Sequence, residues 1–366
     1  MSKEAVIHFL GDISFNDAYV DLYKKGVNPF TGVREILAKA DYVVGNLESQ
    51  VIGAQGENLL KNPRVKTELQ TLNYLNDLSV NLVSVATNHT YDGLRDGVVQ
   101  SFSFLDGHKI LHIGASLDQA NSFKPLVVEI NQVKFGFLNY VHEDTNPSMP
   151  KDADVYLNYY DREKILTQIA SIRKEVDFVI LLFHWGGLTD YGFYPHHTQI
   201  RDAHAFIDQG ADVIIGHHTH TFQPIEKNKG KPIFYSLGNF CFADIFSGGK
   251  WNKVRATGKE SAIAELKFNA ETKTCDYTLF PVSNEDHNIK PNPGLIKRYR
   301  WRNFKFLFVK NIIVFRWCYY FYRSSIEPLQ FYFEASDKTW FQRIKALSFK
   351  RIVGFIRFML NMKKEE

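Results

Sequence analysis

The sequence predicts an α/β protein built on a buried, mainly parallel sheet and joined to a basic helical extension. Three observations carry this. Six short apolar runs each stop at a cluster of Gly, Asp, Asn or His. Helix-like stretches lie between several of those runs, and strands alternating with helices imply a parallel sheet covered on both faces. Charge also divides the chain: residues 291–366 hold 16 Lys+Arg against 5 Asp+Glu, whereas residues 1–290 hold 28 against 35. An acidic body thus carries a basic, aromatic tail, and the two parts have different tasks. The expected organisation is a domain over 1–290 and a basic, aromatic, helical extension over 291–366.

The runs come in order. Residues 5–10 (AVIHFL) stop at Gly-Asp, 41–44 (DYVV) at Gly-Asn, and 82–86 (LVSVA) at Thr-Asn-His. Residues 178–183 (FVILLF) stop at His-Trp-Gly, 212–215 (DVII) at Gly-His-His, and 233–235 (IFY) at Ser-Leu-Gly-Asn. Residues 161–174 place apolar side chains at 165, 166, 169 and 172 behind Asp161, a good N-cap. Residues 199–209 read as a second helix ending at Gly210, a good C-cap residue. His196 and His197 fall before it in a Tyr/Pro-rich loop and read as surface residues. Residues 126–140 read as a hairpin turning near Asn131–Gln132, and 261–268 with 275–282 as another. These add antiparallel strands to the core.

Composition narrows the function classes. The 366 residues are 45% hydrophobic and 23% charged, ordinary for a globular protein. Cys241, Cys275 and Cys318 are far apart, which argues against a disulfide scaffold or a cysteine–zinc module. The first residues show no apolar signal-peptide core, and no run of about 18 uncharged apolar residues exists. Cytoplasmic residence is the expectation.

Ligands in open parallel sheets bind beyond the carboxyl ends of the strands, where all six polar clusters fall. Asp12, Glu48, Asn88, His89, His184, His218 and His220 are the residue types that hold divalent metals, and a pair of ions can clamp both oxygens of a displacement. The spacing His218-Thr219-His220 suits two ligands on an extended loop, each serving a different ion. Taken singly, each has an ordinary reading: Asp12 as a cap, Asn46 and Glu48 as loop polarity, Asn88 and His89 as part of a turn, His184 as a satisfied core histidine. Six such strand ends together point to one site.

The ordered set GDISF (11–15), GNLES (45–49), ATNHTYDG (86–93), HWG (184–186), GADVIIGHHTHTFQPIE (210–226) and YSLGNFCF (235–242) resembles the CapA family of capsule and poly-γ-glutamate synthesis, within the calcineurin-like metallophosphatases. The resemblance spans about residues 4–250. It implies a metallophosphatase-like four-layer αββα sandwich and a centre of two divalent ions of the Mn, Fe, Zn or Mg class. One ion takes Asp12, Glu48 and His220, the other Glu48, Asn88, His184 and His218. His89 protonates a leaving group, with Asp92 as its partner. Asn46, Asp190, Tyr191, His217 and Asn239 become candidates for contact with substrate, Asn239 alternatively orienting a ligand histidine. Asp190 and Tyr191 stand where CapA-like chains show Glu-Tyr, at altered spacing. Two departures stand out: Ser14 replaces the histidine of an Asp-x-His opening motif, and Glu48 replaces a bridging aspartate.

The implied function is a metal-dependent phosphoesterase-type protein in capsule or surface-polymer biosynthesis, acting on an anionic polymer, phosphoester or peptide. Two alternatives stay open: a non-catalytic capsule-assembly or polymer-binding factor, and metal-dependent chemistry on an amide. In the tail, Arg343, Lys350 and Arg357 recur every seven residues opposite Phe341, Ile344, Ile352, Phe355 and Met359. A basic amphipathic helix of this kind either docks on the body or lies on a membrane surface through residues 295–360, at the inner face of the membrane. No nucleic-acid-binding motif is present.

Overall fold

A computed structural model describes residues 3–150, 152–187, 190–311, 317–318 and 321–322. The chain begins with β1 (Glu4–Ile13), β2 (Tyr42–Leu47), β3 (Leu82–Ser84), α1 (Leu94–Gly107) and β4 (Leu111–Ile113). A hairpin of β5 (Leu126–Ile130) and β6 (Val133–Val141) leads to α2 (Arg162–Ile172), β7 (Phe178–His184), α3 (His197–Gln209) and β8 (Val213–His217). Strands β9 (Ile225–Asn228), β10 (Lys231–Phe234), β11 (Asn239–Cys241), β12 (Glu260–Asn269), β13 (Thr274–Glu285) and β14 (Asn288–Pro291) precede α4 (Leu295–Asn311).

The strands form two mixed sheets. One has the order β14-β13-β12-β1-β2-β3-β4, with β11 added beside the end of β1. The other has the order β9-β10-β8-β7-β6-β5. In each, the central strands run parallel and the hairpins add antiparallel strands. Side-chain alternation explains the layering. Phe178, Ile180 and Leu182 of β7 face the other sheet and share a core with Phe9 and Val44. Val179, Leu181 and Phe183 point the other way, onto Ile165 and Ile169 of α2 and Phe206 of α3. Beyond the first sheet, Leu10, Val43 and Val83 meet Val98, Phe102 and Leu105 of α1. The result is four layers, α/β/β/α. Burial on both faces is why β7 reads as a continuous apolar run, and each such Leu, Ile or Phe contributes about 1.5–3 kcal/mol.

Both expected hairpins are present. Asn131 and Gln132 have φ of 49° and 65°, the left-handed pair that lets a two-residue turn match strand twist. Helix α2 starts where expected, the Asp161 side chain accepting from the Lys164 amide. Three readings need correction. Strands β1 and β2 run three residues past their predicted ends, because Asp12 pairs with Asn46 on one side and Asn239 on the other. A register shift between Phe9 and Asp12 makes this possible, and apolar periodicity does not report a bulge. Gly11 is needed there, since a Cβ would lie 1.9 Å from the Gly238 carbonyl oxygen. Third, His196 and His197 open α3 rather than a loop: the His196 amide donates to the Gln199 side chain at 2.7 Å, and both histidines are half-buried.

Helix α4 docks on the body. Leu295, Tyr299 and Phe306 are buried; Tyr299 stacks on Phe222 at 4.0 Å and Phe306 meets Tyr235 edge-on. The amphipathic stretch expected over 338–360, with Arg343, Lys350 and Arg357, lies outside the described residues. Among the described residues no helix is long and apolar enough to cross a membrane.

Candidate metal centre

The carboxyl ends of β1, β2, β3, β7 and β8 meet along one edge of the sandwich. Asp12 lies in β1, Glu48 follows β2, Asn88 and His89 follow β3, His184 ends β7, and His217 ends β8. All are buried, as are His218, His220 and Asn239.

Asp12, Glu48 and His220 each offer a ligand atom within 4.8 Å of the others. Each is held from behind. Asn46 donates to Asp12 Oδ1 at 2.9 Å and accepts from the Ser84 hydroxyl at 2.9 Å. The His218 amide donates to Asp12 Oδ2 at 3.3 Å. His220 Nδ1 donates to Asn239 Oδ1 at 2.7 Å, and Asn239 in turn donates to the Gly258 carbonyl. That bond fixes the tautomer and leaves Nε2 with a lone pair, 3.8 Å from Glu48 Oε1.

A second group adjoins it. Asn88 donates its amide N–H to the Thr145 carbonyl, so its Oδ1 faces His184 Nε2 at 3.0 Å. The rings of His184 and His218 are 4.9 Å apart. The loop after β8 is not extended, contrary to the spacing argument: His218 and His220 have φ of 92° and 56°. Left-handed backbone at two non-glycine residues costs roughly 1–3 kcal/mol each and concentrates at functional sites.

The electrostatics are unusual. Both Glu48 oxygens are buried without a hydrogen-bond partner. Burial, then the nearby charge of Asp12, raises the Glu48 carboxyl well above its usual range. Burial and the surrounding histidines hold His184 well below its ordinary value. Burial likewise raises Asp12, but contact with His217 and the charges of His217, His220 and His218 outweigh it, and the net direction is down. The ring atoms His184 Nδ1 and His218 Nδ1 also lack partners. Buried carboxylates without donors are rare and expensive. Imidazole nitrogens around an unpaired carboxylate are the donor set a divalent cation satisfies, so the residues fit such an ion.

His89 stands beside this group. Its Nδ1 lies 2.5 Å from Asp92 Oδ2, which also accepts from the Val65 amide, and its Nε2 lies 3.8 Å from Glu48 Oε1. Burial, then the Lys61 charge, lowers its pKa to about 4, so the ring is neutral near pH 7. Lys61 is the participant that sequence reading missed. It is 6% exposed, donates to the Asn88 carbonyl and lies 3.9 Å from Asp92 Oδ1. Nothing in NLLKNPR marks it, because neither periodicity nor a motif distinguishes a buried lysine.

The remaining candidates divide between the floor and the rim. His217 Nδ1 lies 3.2 Å from Asp12 Oδ1, deep in the floor. Asn46 and Asn239 have both ends of their amides engaged by protein atoms. Asp190 and Tyr191 form the rim: Asp190 Oδ1 is 3.9 Å from His218 Nε2, and the Tyr191 ring lies between His220 and the Arg255 guanidinium. Ser14 donates to the Asn16 side chain at 2.7 Å.

A family model and two relatives agree on one family. Residues 6–244 match the family described as bacterial capsule synthesis protein PGA_cap. The chain is 29% identical over 292 residues to the PGA biosynthesis protein CapA of Bacillus subtilis (strain 168), covering 78% of this chain and 72% of that one. It is 25% identical over 284 residues to the capsule biosynthesis protein CapA of Bacillus anthracis, covering 74% of this chain and 65% of the relative's length. Among solved structures it is similar to the calcineurin-like phosphoesterase YfkN from Bacillus subtilis, with 15% identity, a TM-score of 0.45, and coverage of 83% of this chain and 99% of that one.

Proposed function

The chain belongs to the bacterial capsule synthesis protein family, and from that premise we propose that it is a metal-dependent phosphoesterase-type protein in the making of a capsule or a poly-γ-glutamate-like surface polymer. Asp12, Glu48 and His220 would hold one divalent ion, and Glu48, Asn88, His184 and His218 a second. The observation that carries this reading is Glu48, a buried carboxylate with no hydrogen-bond donor and histidines on two sides. Bound there, a divalent ion pair supplies an activated water at neutral pH and charge stabilisation for the oxygens of the bond being broken.

The protein's own groups do the rest. Asn46 and Asn239 hold Asp12 and His220 in orientation. Asp92 fixes His89 through Nδ1, so Nε2 faces the reacting group. The ring is neutral at rest, and an anionic substrate favours its protonated form, which passes a proton to the leaving oxygen. Asp92 steadies the imidazolium. At the rim, Tyr191 and Arg255 would meet the anionic groups of a polymer, phosphoester or peptide, and Asp190 its hydrogen-bond donors.

Purified protein should hydrolyse a generic phosphodiester with added Mn²⁺, and His184→Ala and His218→Ala should abolish turnover. Ser14 favours a second reading. Its hydroxyl is committed to Asn16, so the first ion has one imidazole fewer, as suits a polymer-binding or assembly factor. Polymer binding that persists in both variants, with no turnover by the unaltered protein, would select that reading.

A further inference from the structure

Helix α4 has two apolar faces, and among the described residues the body covers only one. Leu295, Tyr299 and Phe306 are buried against the sandwich. Trp301, Phe304 and Leu307 lie on the opposite side, at 56%, 59% and 40% exposure. The Trp301 and Phe304 rings stack at 5.6 Å. Between 295 and 311 the helix carries six Lys or Arg residues and no Asp or Glu. Three of the six face the body: Arg302 donates to the Phe222 carbonyl, Lys310 pairs with buried Glu226, and Arg298 pairs with Glu260. Lys297, Arg300 and Lys305 flank the exposed aromatics, with Lys305 over the Trp301 ring at 5.1 Å.

We propose that this outer face of α4 is a docking surface for an anionic lipid bilayer, with Trp301, Phe304 and Leu307 entering the headgroup–acyl boundary and Lys297, Arg300 and Lys305 meeting lipid phosphates. Charge decides among occupants. A second copy would bring three more cations against these. Residues 312–366 hold 10 Lys+Arg against 5 Asp+Glu, so this chain's own tail is also a poor match. A soluble polyanion would satisfy the cations and leave the aromatics in water. A lipid surface satisfies both, as basic helices with Trp and Phe do at interfaces. The surface is independent of the metal centre.

The test is co-sedimentation of the full chain with vesicles of phosphatidylglycerol and phosphatidylcholine, or of phosphatidylcholine alone. The unaltered protein should bind the anionic vesicles, release as salt rises, and blue-shift its tryptophan emission. The combined variant Trp301→Ala, Phe304→Ala, Leu307→Ala keeps helix propensity and should bind about tenfold more weakly or less. Lys297→Gln with Lys305→Gln should weaken binding and its salt dependence. Absence of binding by the unaltered chain, equal binding to neutral vesicles, or undiminished binding by the triple variant would overturn the proposal. A concentration-dependent dimer abolished by the triple variant would assign the face to a second copy instead.

Discussion

Replacing Glu48 by Gln should stabilise the metal-free protein and remove its response to metal. Folding without metal places the Glu48 carboxyl where neither oxygen has a donor. Its proton affinity is raised well above the ordinary value of 4.5. At pH 7 the metal-free fold must therefore keep an uncompensated charge or take up a proton. The proton route costs 1.36 kcal/mol for each pH unit above 4.5, about 3 kcal/mol at pH 7, and it limits the penalty. Gln is isosteric, carries no charge, and can donate toward His89 Nε2 and His220 Nε2, both 3.8 Å from Oε1. Metal-free Glu48→Gln should thus melt roughly 5 °C above the unaltered protein at pH 7. The sign with pH is fixed. A carboxyl whose folded pKa is raised gains protons in the fold first, so the unaltered protein recovers as pH falls and the difference vanishes near the unfolded value of 4.5. Mn²⁺ at 100 times its dissociation constant should then stabilise the unaltered protein by about 2.7 kcal/mol and the variant by much less. Scanning calorimetry at pH 5 and pH 7, with and without Mn²⁺, measures both effects. A variant that melts below the unaltered metal-free protein, or equal stabilisation of both by metal, would refute the reasoning.

Asp92→Asn should leave metal content intact and lower turnover by about 10²–10⁴-fold, since Asp92 orients His89 and is not one of the proposed ligands; single-turnover assays beside metal analysis check this, and lost metal would contradict it. Asn239→Ala frees the His220 ring and should weaken metal binding by about 10–100-fold, measured by titration calorimetry. Lys61→Met leaves Asp92 and Glu48 without their buried cation and should cost about 3–5 kcal/mol in urea unfolding of the metal-free protein. Most of that loss should persist in the Glu48→Gln background, because Asp92, the carboxylate 3.9 Å from the ammonium, is still there.

Much of the fold was legible because burial on both faces writes a strand as an apolar run. Residues 178–183 show this, and their stop at His184 marks the site edge. The hairpin at Asn131–Gln132 was legible from the run of alternating side chains around it. The site's outline followed from where the runs stop. Its internal order did not. Asp12 lies within a strand only because a bulge and the late addition of β11 extend β1, and both are long-range events. The left-handed backbone at His218 and His220 is imposed by the fold, so spacing alone misjudged the shape of their loop. Lys61 reaches the centre from a loop whose sequence carries no pattern.

The proposed function requires that these strand ends form a two-ion centre. Metal content per chain, measured by mass spectrometry on protein equilibrated with Mn²⁺ and desalted, tests it most directly when the unaltered protein is compared with His220→Ala and His184→Ala. The unaltered chain should hold up to two ions, each variant should lose at least one, and Glu48→Gln should lose both. An unaltered chain that holds no metal under any divalent supply, or variants that hold as much as it does, would contradict the account.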